Sequence, residues 1–168
     1  MKKTVLTYGF ISGAIAVVLL LAHVPFMDSL AYNTSLLVGY AGILVSALLI
    51  FFGVRSYSEN VGNGRISFGR GFAVGILIAL ISAVCYVAAW EVVYFSNPGI
   101  ADHAFDHPVE ELKAAGAPQE KIDEAAREAE SFKKLFTNPL VNSALVFLEP
   151  FPVGLLMTLI SAVILRRR

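Results

Sequence analysis

The sequence predicts an all-α membrane protein: a four-transmembrane-helix bundle with an extracytoplasmic amphipathic helical segment between helices 3 and 4. Three observations predict this fold class. Hydrophobic residues make up 57% of the 168 residues and charged residues only 15%, which is unlike the composition of a soluble domain. The apolar residues are concentrated in four long blocks, and the basic residues between the blocks cluster on alternate connections.

The four apolar blocks cover about residues 5–24, 36–54, 70–95 and 140–165 of a single integral membrane domain, residues 1–168. As helices rising ~1.5 Å per residue, each spans at least ~28 Å, close to the ~30 Å hydrocarbon core of a bilayer. Because backbone groups find no water in lipid, long blocks without alternation predict helices and not barrel strands. The first block also resembles a signal peptide ending at Ser29-Leu30-Ala31, but it exceeds the usual signal core, so we predict that it is retained.

The distribution of charge predicts the orientation of the spans. One set of flanks carries eight basic residues and a single acid, Glu59; the bases are Lys2, Lys3, Arg55, Arg65, Arg70, Arg166, Arg167 and Arg168. The opposite side receives Asp28 and the segment 96–139, which has nine acidic and five basic residues. The positive-inside rule therefore places both termini in the cytoplasm and the acidic segment outside.

The connections between the blocks contain recognisable turn and cap signals. The predicted loop of residues 55–67 contains Gly62-Asn63-Gly64, a tight-turn sequence, and ends at Ser67, a suitable N-cap for the third span. In the outer segment, about residues 97–139, Pro108 predicts the start of a short helix and Gly116 its end. A longer helix is predicted from Pro118 to Phe136, before Asn138-Pro139.

The longer outer helix has one apolar face, which includes Ile122, Ala129, Phe132 and Phe136. The simpler interpretation is a cap packed over the end of the bundle. The alternative is a partner-binding helix, with those four residues as the binding candidates. Its surplus of acids argues against attachment to anionic lipid.

The pairs Asp102-His103 and Asp106-His107 place imidazoles at i and i+4, next to carboxylates. On a helix these groups could bind zinc or copper. Pro108 follows at once and no further histidine or cysteine lies outside the membrane, so we predict solvated loop residues and neither a metal nor another cofactor.

Small residues recur at helical spacing in every span, as in Gly9-x-x-x-Gly13. Close backbone approach holds helices together in lipid, so these faces predict helix–helix contacts. Packing within the chain is favoured over dimerisation, although a homo-oligomer is compatible with the same pattern.

Two carboxylates lie within the spans, where an acid costs about 2–3 kcal/mol and calls for a partner or a function. Glu149 is the deeper one and precedes Pro150 and Pro152, which together with Gly154 predict a kink or unwinding of the fourth span. The predicted intramembrane polar or proton site consists of Glu149, Glu91, His23, Tyr40 and Tyr86. Glu149 is either a static polar staple or a proton or ion site.

The chain resembles a bacterial membrane-protein family known as domain of unknown function 4199. The resemblance rests on five stretches, which cover nearly the whole chain in order: Phe51–Tyr57, Gly64–Phe72, Tyr86–Tyr94 around Trp90-Glu91, Asn138-Pro139-Leu140, and Glu149–Gly154. It implies a multi-pass protein of the bacterial inner membrane with four spans, and it implies no activity.

Three functional hypotheses follow in order. The first is a non-enzymatic accessory, interaction or assembly component, bound to the bilayer and to a protein partner through the outer helix, with no role for nucleic acid. The second is a small proton- or ion-coupled transporter or channel that uses Glu149 with Glu91 or His23. The third is a metal-binding outer-face enzyme. No catalytic residue is predicted, because no nucleophile elbow or metalloprotease motif is present.

Overall fold

The computed structural model describes residues 1–27, 29–97 and 99–166, with the backbone alone at residue 32 and at residues 101–104. Within these ranges the chain forms helices and turns and no strand, which confirms the all-α prediction. The α-helices are α1 (Lys2–His23), α2 (Tyr32–Asn60), α3 (Phe68–Ser96), α4 (Ile100–Ala114), α5 (Gln119–Phe136), α6 (Pro139–Phe147) and α7 (Pro150–Ile164); a short 3-10 helix (Val24–Phe26) follows α1.

Four helical stretches are long and apolar enough to cross a bilayer: Lys2–Phe26, Asn33–Asn60, Phe68–Ser96 and Pro139–Ile164. Large apolar side chains stay exposed along them; Leu37 and Leu140, for example, are 72% and 82% exposed. Such a surface is stable against lipid and not against water. The chain is therefore an integral membrane protein with a four-helix bundle, as predicted, and α6 and α7 together make the fourth span.

The second span is longer than predicted. α2 continues to Asn60, so the prediction of a loop from Arg55 is wrong for its first six residues. Arg55 was assigned to the loop because its charge ends the apolar block. The helix nevertheless continues beyond it, since Arg55 Nε donates to Glu59 Oε1 at 2.8 Å and the Tyr57 ring is buried against the core.

The turn between α2 and α3 has the predicted local structure. Asn63 and Gly64 have φ of 49° and 76°, the left-handed conformation that glycine and asparagine tolerate best. Ser67 Oγ accepts a hydrogen bond from Arg70 N at 3.4 Å and so caps α3. We call this end of the bundle, with Lys2, residues 61–67 and Arg166, the basic end.

Small residues set the close helix–helix contacts. On α1, a Cβ at Gly13 would lie 2.8 Å from Cys85 Cβ of α3, and one at Gly9 would lie 2.9 Å from Ile81 Cβ. Gly75 of α3 contacts Thr158 of α7 in the same way. Contacts within the chain thus account for the Gly9-x-x-x-Gly13 pattern.

A buried serine joins the first three helices. The Ser12 side chain is fully buried, and its Oγ lies 2.8 Å from Ser46 O of α2 and 3.0 Å from Ser82 Oγ of α3. Hydrogen bonds of this kind fix the mutual rotation of apolar helices, which hydrophobicity alone leaves undetermined.

The bundle is closed more tightly at the basic end than at the other. α7 packs against both α2 and α3, whereas α6 packs against α3 and α5 and makes few or no contacts with α2. α2 therefore packs more closely against α7 than against α6. We call this end, over which α4 and α5 fold, the hairpin end.

The prediction that a short helix begins at Pro108 is wrong. α4 begins at Ile100, and Pro108 lies inside it. Proline removes one helix hydrogen bond, but packing against α5 offsets this cost: the Phe105 ring stacks on Phe132 with 5.9 Å between centroids, and Lys133 Nζ lies 2.6 Å from Asp106 Oδ2. The predicted end is confirmed, since α4 stops at Ala114 before Gly116 at φ 65°.

Candidate functional site

Three side-chain hydrogen bonds connect α3 to the fourth span in the hairpin half of the bundle. Ser143 Oγ donates to Glu91 Oε1 at 2.6 Å. Trp90 Nε1 donates to Asn142 Oδ1 at 3.2 Å. Tyr86 Oη donates to Glu149 Oε2 at 3.1 Å. We call these six residues the polar seam.

The local sequence explains why α6 presents its polar residues to α3. Asn138 caps α6, its Oδ1 accepting from Leu140 N at 3.0 Å, and Pro139 occupies the first turn, where its missing N–H costs nothing. The helix therefore starts at a fixed residue. One turn later Asn142 is fully buried and Ser143 half-buried against α3.

Glu149 lies in the interruption of the fourth span. α6 ends at Phe147 and α7 begins at Pro150, and Leu148 N and Glu149 N instead close tight turns to Leu145 O and Val146 O, at 3.0 and 3.2 Å. Pro150 and Pro152 cannot donate backbone hydrogen bonds here. The predicted kink of the fourth span stays a prediction.

Glu149 lies well inside the fourth span, far from the start of α6. It lies about 13 Å along the helix from Leu140 at ~1.5 Å per residue, and part of it is exposed at the surface of the bundle. A carboxyl at this depth requires a hydrogen-bond partner. The Tyr86 hydroxyl, on a residue 8% exposed, supplies it.

Two buried atoms of the polar seam have no hydrogen-bond partner among the described residues: Glu91 Oε2 and Asn142 Nδ2. The Trp90 indole can only donate, so its bond to Oδ1 fixes the orientation of the Asn142 amide and leaves Nδ2 unpaired. An unpaired buried polar group costs about 1–3 kcal/mol. Trp90 was not predicted as a partner of Asn142.

The structure brings only part of the predicted polar site together. Glu149 and Tyr86 are in contact, and Tyr40 of α2 is half exposed. Glu91 bonds to Ser143 instead. Among the described contacts His23 is separate, because its Nε2 lies 3.0 Å from Ser35 Oγ and its ring lies against Gly39.

The kink residue Gly154 has a packing role in the structure. A Cβ at this position would lie 2.9 Å from Ala79 Cβ of α3, so the absence of a side chain lets α7 approach α3 directly after the two prolines.

The hairpin of α4 and α5 is fixed to the bundle through aromatic rings. Phe136 lies 4.9 Å from the Phe105 ring of α4 and 6.4 Å from the Tyr94 ring of α3, centroid to centroid. Ala129 is buried and Ile122 half-buried on the same face. Of the four partner-binding candidates, only Phe132 remains largely exposed, at 45%.

A second face of α5 is open. It borders a shallow groove of about 610 Å³ lined by residues at helical spacing: Glu120, Glu124, Arg127, Glu128, Ser131, Phe132 and Leu135. We call these seven residues the α5 stripe. Leu135 is 46% exposed, beside Phe132, and the remainder of the stripe carries three acids and one base.

The predicted metal pair can be described only in part. The His103 side chain lies outside the described residues, but the backbone around it is helical, so the prediction of loop residues before Pro108 is wrong. His107 Nδ1 lies 3.8 Å from Glu111 Oε1. Within the described part of the chain, no group of three or more histidine, cysteine, aspartate or glutamate side chains is placed to hold a metal ion.

Comparison with known proteins connects this geometry to a family. A family model described as a protein of unknown function, DUF4199, matches residues 7–167. The chain belongs to this family. No curated protein and no solved structure matches it.

The DUF4199 match extends over the polar seam, the proline interruption and the α4–α5 hairpin. All the candidate sites therefore lie inside the family's domain. The family description assigns no activity, so the function rests on the residues themselves.

Proposed function

We propose that this protein is a non-enzymatic interaction or assembly component of the bacterial inner membrane, with both termini cytoplasmic. Its α5 stripe binds a protein partner at the extracytoplasmic surface. The charge bias supports this orientation, because six of the described basic residues flank the spans at the basic end: Lys2, Lys3, Arg55, Arg65, Arg70 and Arg166. The acidic hairpin is then outside.

One observation carries the partner proposal: α5 is fixed to the bundle by one face and exposes another that is apolar at one end and acidic along its length. A rigid helix presents a partner with a preformed surface, so little ordering entropy is lost on binding. Phe132 and Leu135 supply the apolar contact, each nearly half exposed. Three acids and one base on the stripe favour a partner with a basic surface around an apolar patch.

Capture of the tagged protein from native membranes in mild detergent tests this proposal. The expected result is a bound protein that dissociates as ionic strength rises, because exposed charges are screened beyond ~10 Å at 0.1 M salt. A chain that stays alone, or a partner that salt does not release, contradicts the proposal.

The second candidate is a proton- or ion-coupled protein, which the Tyr86–Glu149 contact favours. A carboxyl beside a helix interruption occurs at transport sites, and Glu149 is exposed here. The same hydrogen bond would also form if Glu149 had only a structural role. The contact therefore supports transport less strongly than the α5 stripe supports partner binding.

Liposome flux separates the two candidates. An interaction component gives the same proton entry as empty liposomes, with either the wild-type protein or Glu149→Gln. The substitution is matched because glutamine still accepts a hydrogen bond from Tyr86 while its charge is lost. Wild-type flux that Glu149→Gln reduces more than tenfold would replace the first proposal with the second.

A further inference from the structure

The unpaired atoms of the polar seam belong to two neighbouring interhelical contacts. Trp90 and Glu91 are consecutive on α3, and Asn142 and Ser143 are consecutive on α6, so the two hydrogen bonds cross the same helix–helix contact. Each contact leaves one buried atom without a partner, Asn142 Nδ2 in one and Glu91 Oε2 in the other. The first can only donate, and the second, as a carboxylate oxygen, can only accept.

One unpaired donor together with one unpaired acceptor restricts the kind of ligand that can bind both atoms. A bare cation suits the carboxylate but is repelled by the amide N–H, and an anion suits the amide but is repelled by the carboxylate. A water molecule accepts from the amide and donates to the carboxylate, so it pairs both atoms at once. Buried waters are held by about two to four such bonds.

Asn142 is the more deeply buried of the two polar groups, and the orientation of its amide is fixed. Its side chain is fully buried, with 0% exposure, and the donor-only Trp90 prevents the amide from turning its oxygen toward Glu91. Ser143 in turn holds Glu91 Oε1 at 2.6 Å, which leaves Oε2 for the ligand. Trp90 therefore orients the Asn142 amide, and Ser143 holds one oxygen of the Glu91 carboxyl.

We propose that the α3–α6 contact is a buried water-binding site in which Asn142 Nδ2 and Glu91 Oε2 hold one water molecule within the membrane-spanning bundle. The water completes the hydrogen bonding between two helices that hydrophobic packing alone does not orient. The site does not depend on the α5 stripe, so it stands or fails separately from the proposed partner binding.

Water-edited solid-state NMR of the whole protein in lipid tests the site, with ¹⁵N-labelled asparagine side chains and Asn142→Ala to assign the signal. Although Asn142 is fully buried, its amide is expected to receive magnetisation from water as readily as that of the exposed Asn63. The side-chain methyl groups of Ile78, equally buried in the apolar core, provide the dry reference. An Asn142 amide as dry as the Ile78 methyl groups would overturn the proposal.

Two substitutions of Glu91 identify the second partner of the water. Glu91→Gln keeps a hydrogen-bonding group for the water, which can accept from both amides, so the Asn142 signal is expected to persist. Glu91→Leu leaves the water with only one partner, too few to hold it, and the signal is expected to fall several-fold. A signal unchanged in Glu91→Leu would show that Glu91 does not bind the water.

Discussion

Gly75→Leu is expected to disrupt the bundle, lowering the melting temperature in mild detergent by roughly 4–10 °C. A Cβ at Gly75 would already lie 2.8 Å from Thr158 Cγ2 and 3.1 Å from Thr158 Oγ1. Thr158 is fully buried on α7, so it has no space into which to move. Overpacking of this kind costs about 1–3 kcal/mol, and here it also separates α3 from α7, the pair that closes the basic end.

Gly69→Leu is the matched control because Gly69 lies on the same helix with no atom within 4 Å of its would-be Cβ. Leucine has a higher helix propensity than glycine by nearly 1 kcal/mol, so this variant is expected to melt at or slightly above the wild-type temperature. Thermal unfolding followed by circular dichroism measures both. Equal melting of the two variants would contradict the packing described for α3 and α7.

Leu135→Arg is expected to reduce capture of the partner at least tenfold, since placing a charge in the apolar contact of an interface costs more than ~1.4 kcal/mol. Leu135 suits this test better than Phe132, whose ring stacks on Phe105 and so contributes to the hairpin itself. Leu135 is 46% exposed, at the apolar end of the α5 stripe. The variant should therefore fold normally and lose binding only.

Ala126→Arg adds the same charge on the far side of α5, nine residues away and about 180° around the helix at 100° per residue. Ala126 is exposed and does not line the groove. Capture with this variant is expected to match the wild type. Equal loss with both variants would mean that any added charge weakens the complex, and equal retention would show that the α5 stripe is not the binding surface.

Much of the fold follows from the sequence because the bilayer constrains it. Block length predicted the four spans. The helix boundaries depend on local features: Ser67 and Asn138 cap the starts of α3 and α6, and Gly64 and Gly116 take the left-handed conformation. The errors concern helices outside the apolar blocks. Arg55 and Pro108 looked like boundaries, but an i,i+4 ion pair and contacts with α5 extend the helices past them.

The sequence predicted which titratable residues belong to the candidate site, but not which side chains they form hydrogen bonds with. Glu149, Glu91 and Tyr86 were identified because an acid or a phenol inside an apolar block needs a partner. Their partners depend on the rotation of each helix, and spans that are apolar on every side carry little periodic signal for that rotation. The buried contact of Ser12 with α2 and α3 and the bond between Trp90 and Asn142 therefore emerged only from the structure.

The membrane arrangement is tested most directly by labelling single cysteines in a Cys85→Ala background with an impermeant maleimide, on spheroplasts before and after permeabilisation. Val61→Cys reports the basic end and Ala115→Cys the turn between α4 and α5; both positions are exposed. We predict that Ala115→Cys reacts in intact spheroplasts and that Val61→Cys reacts only after permeabilisation. Reaction of both from the same side would contradict the four-span bundle, and the reverse pattern would contradict its orientation.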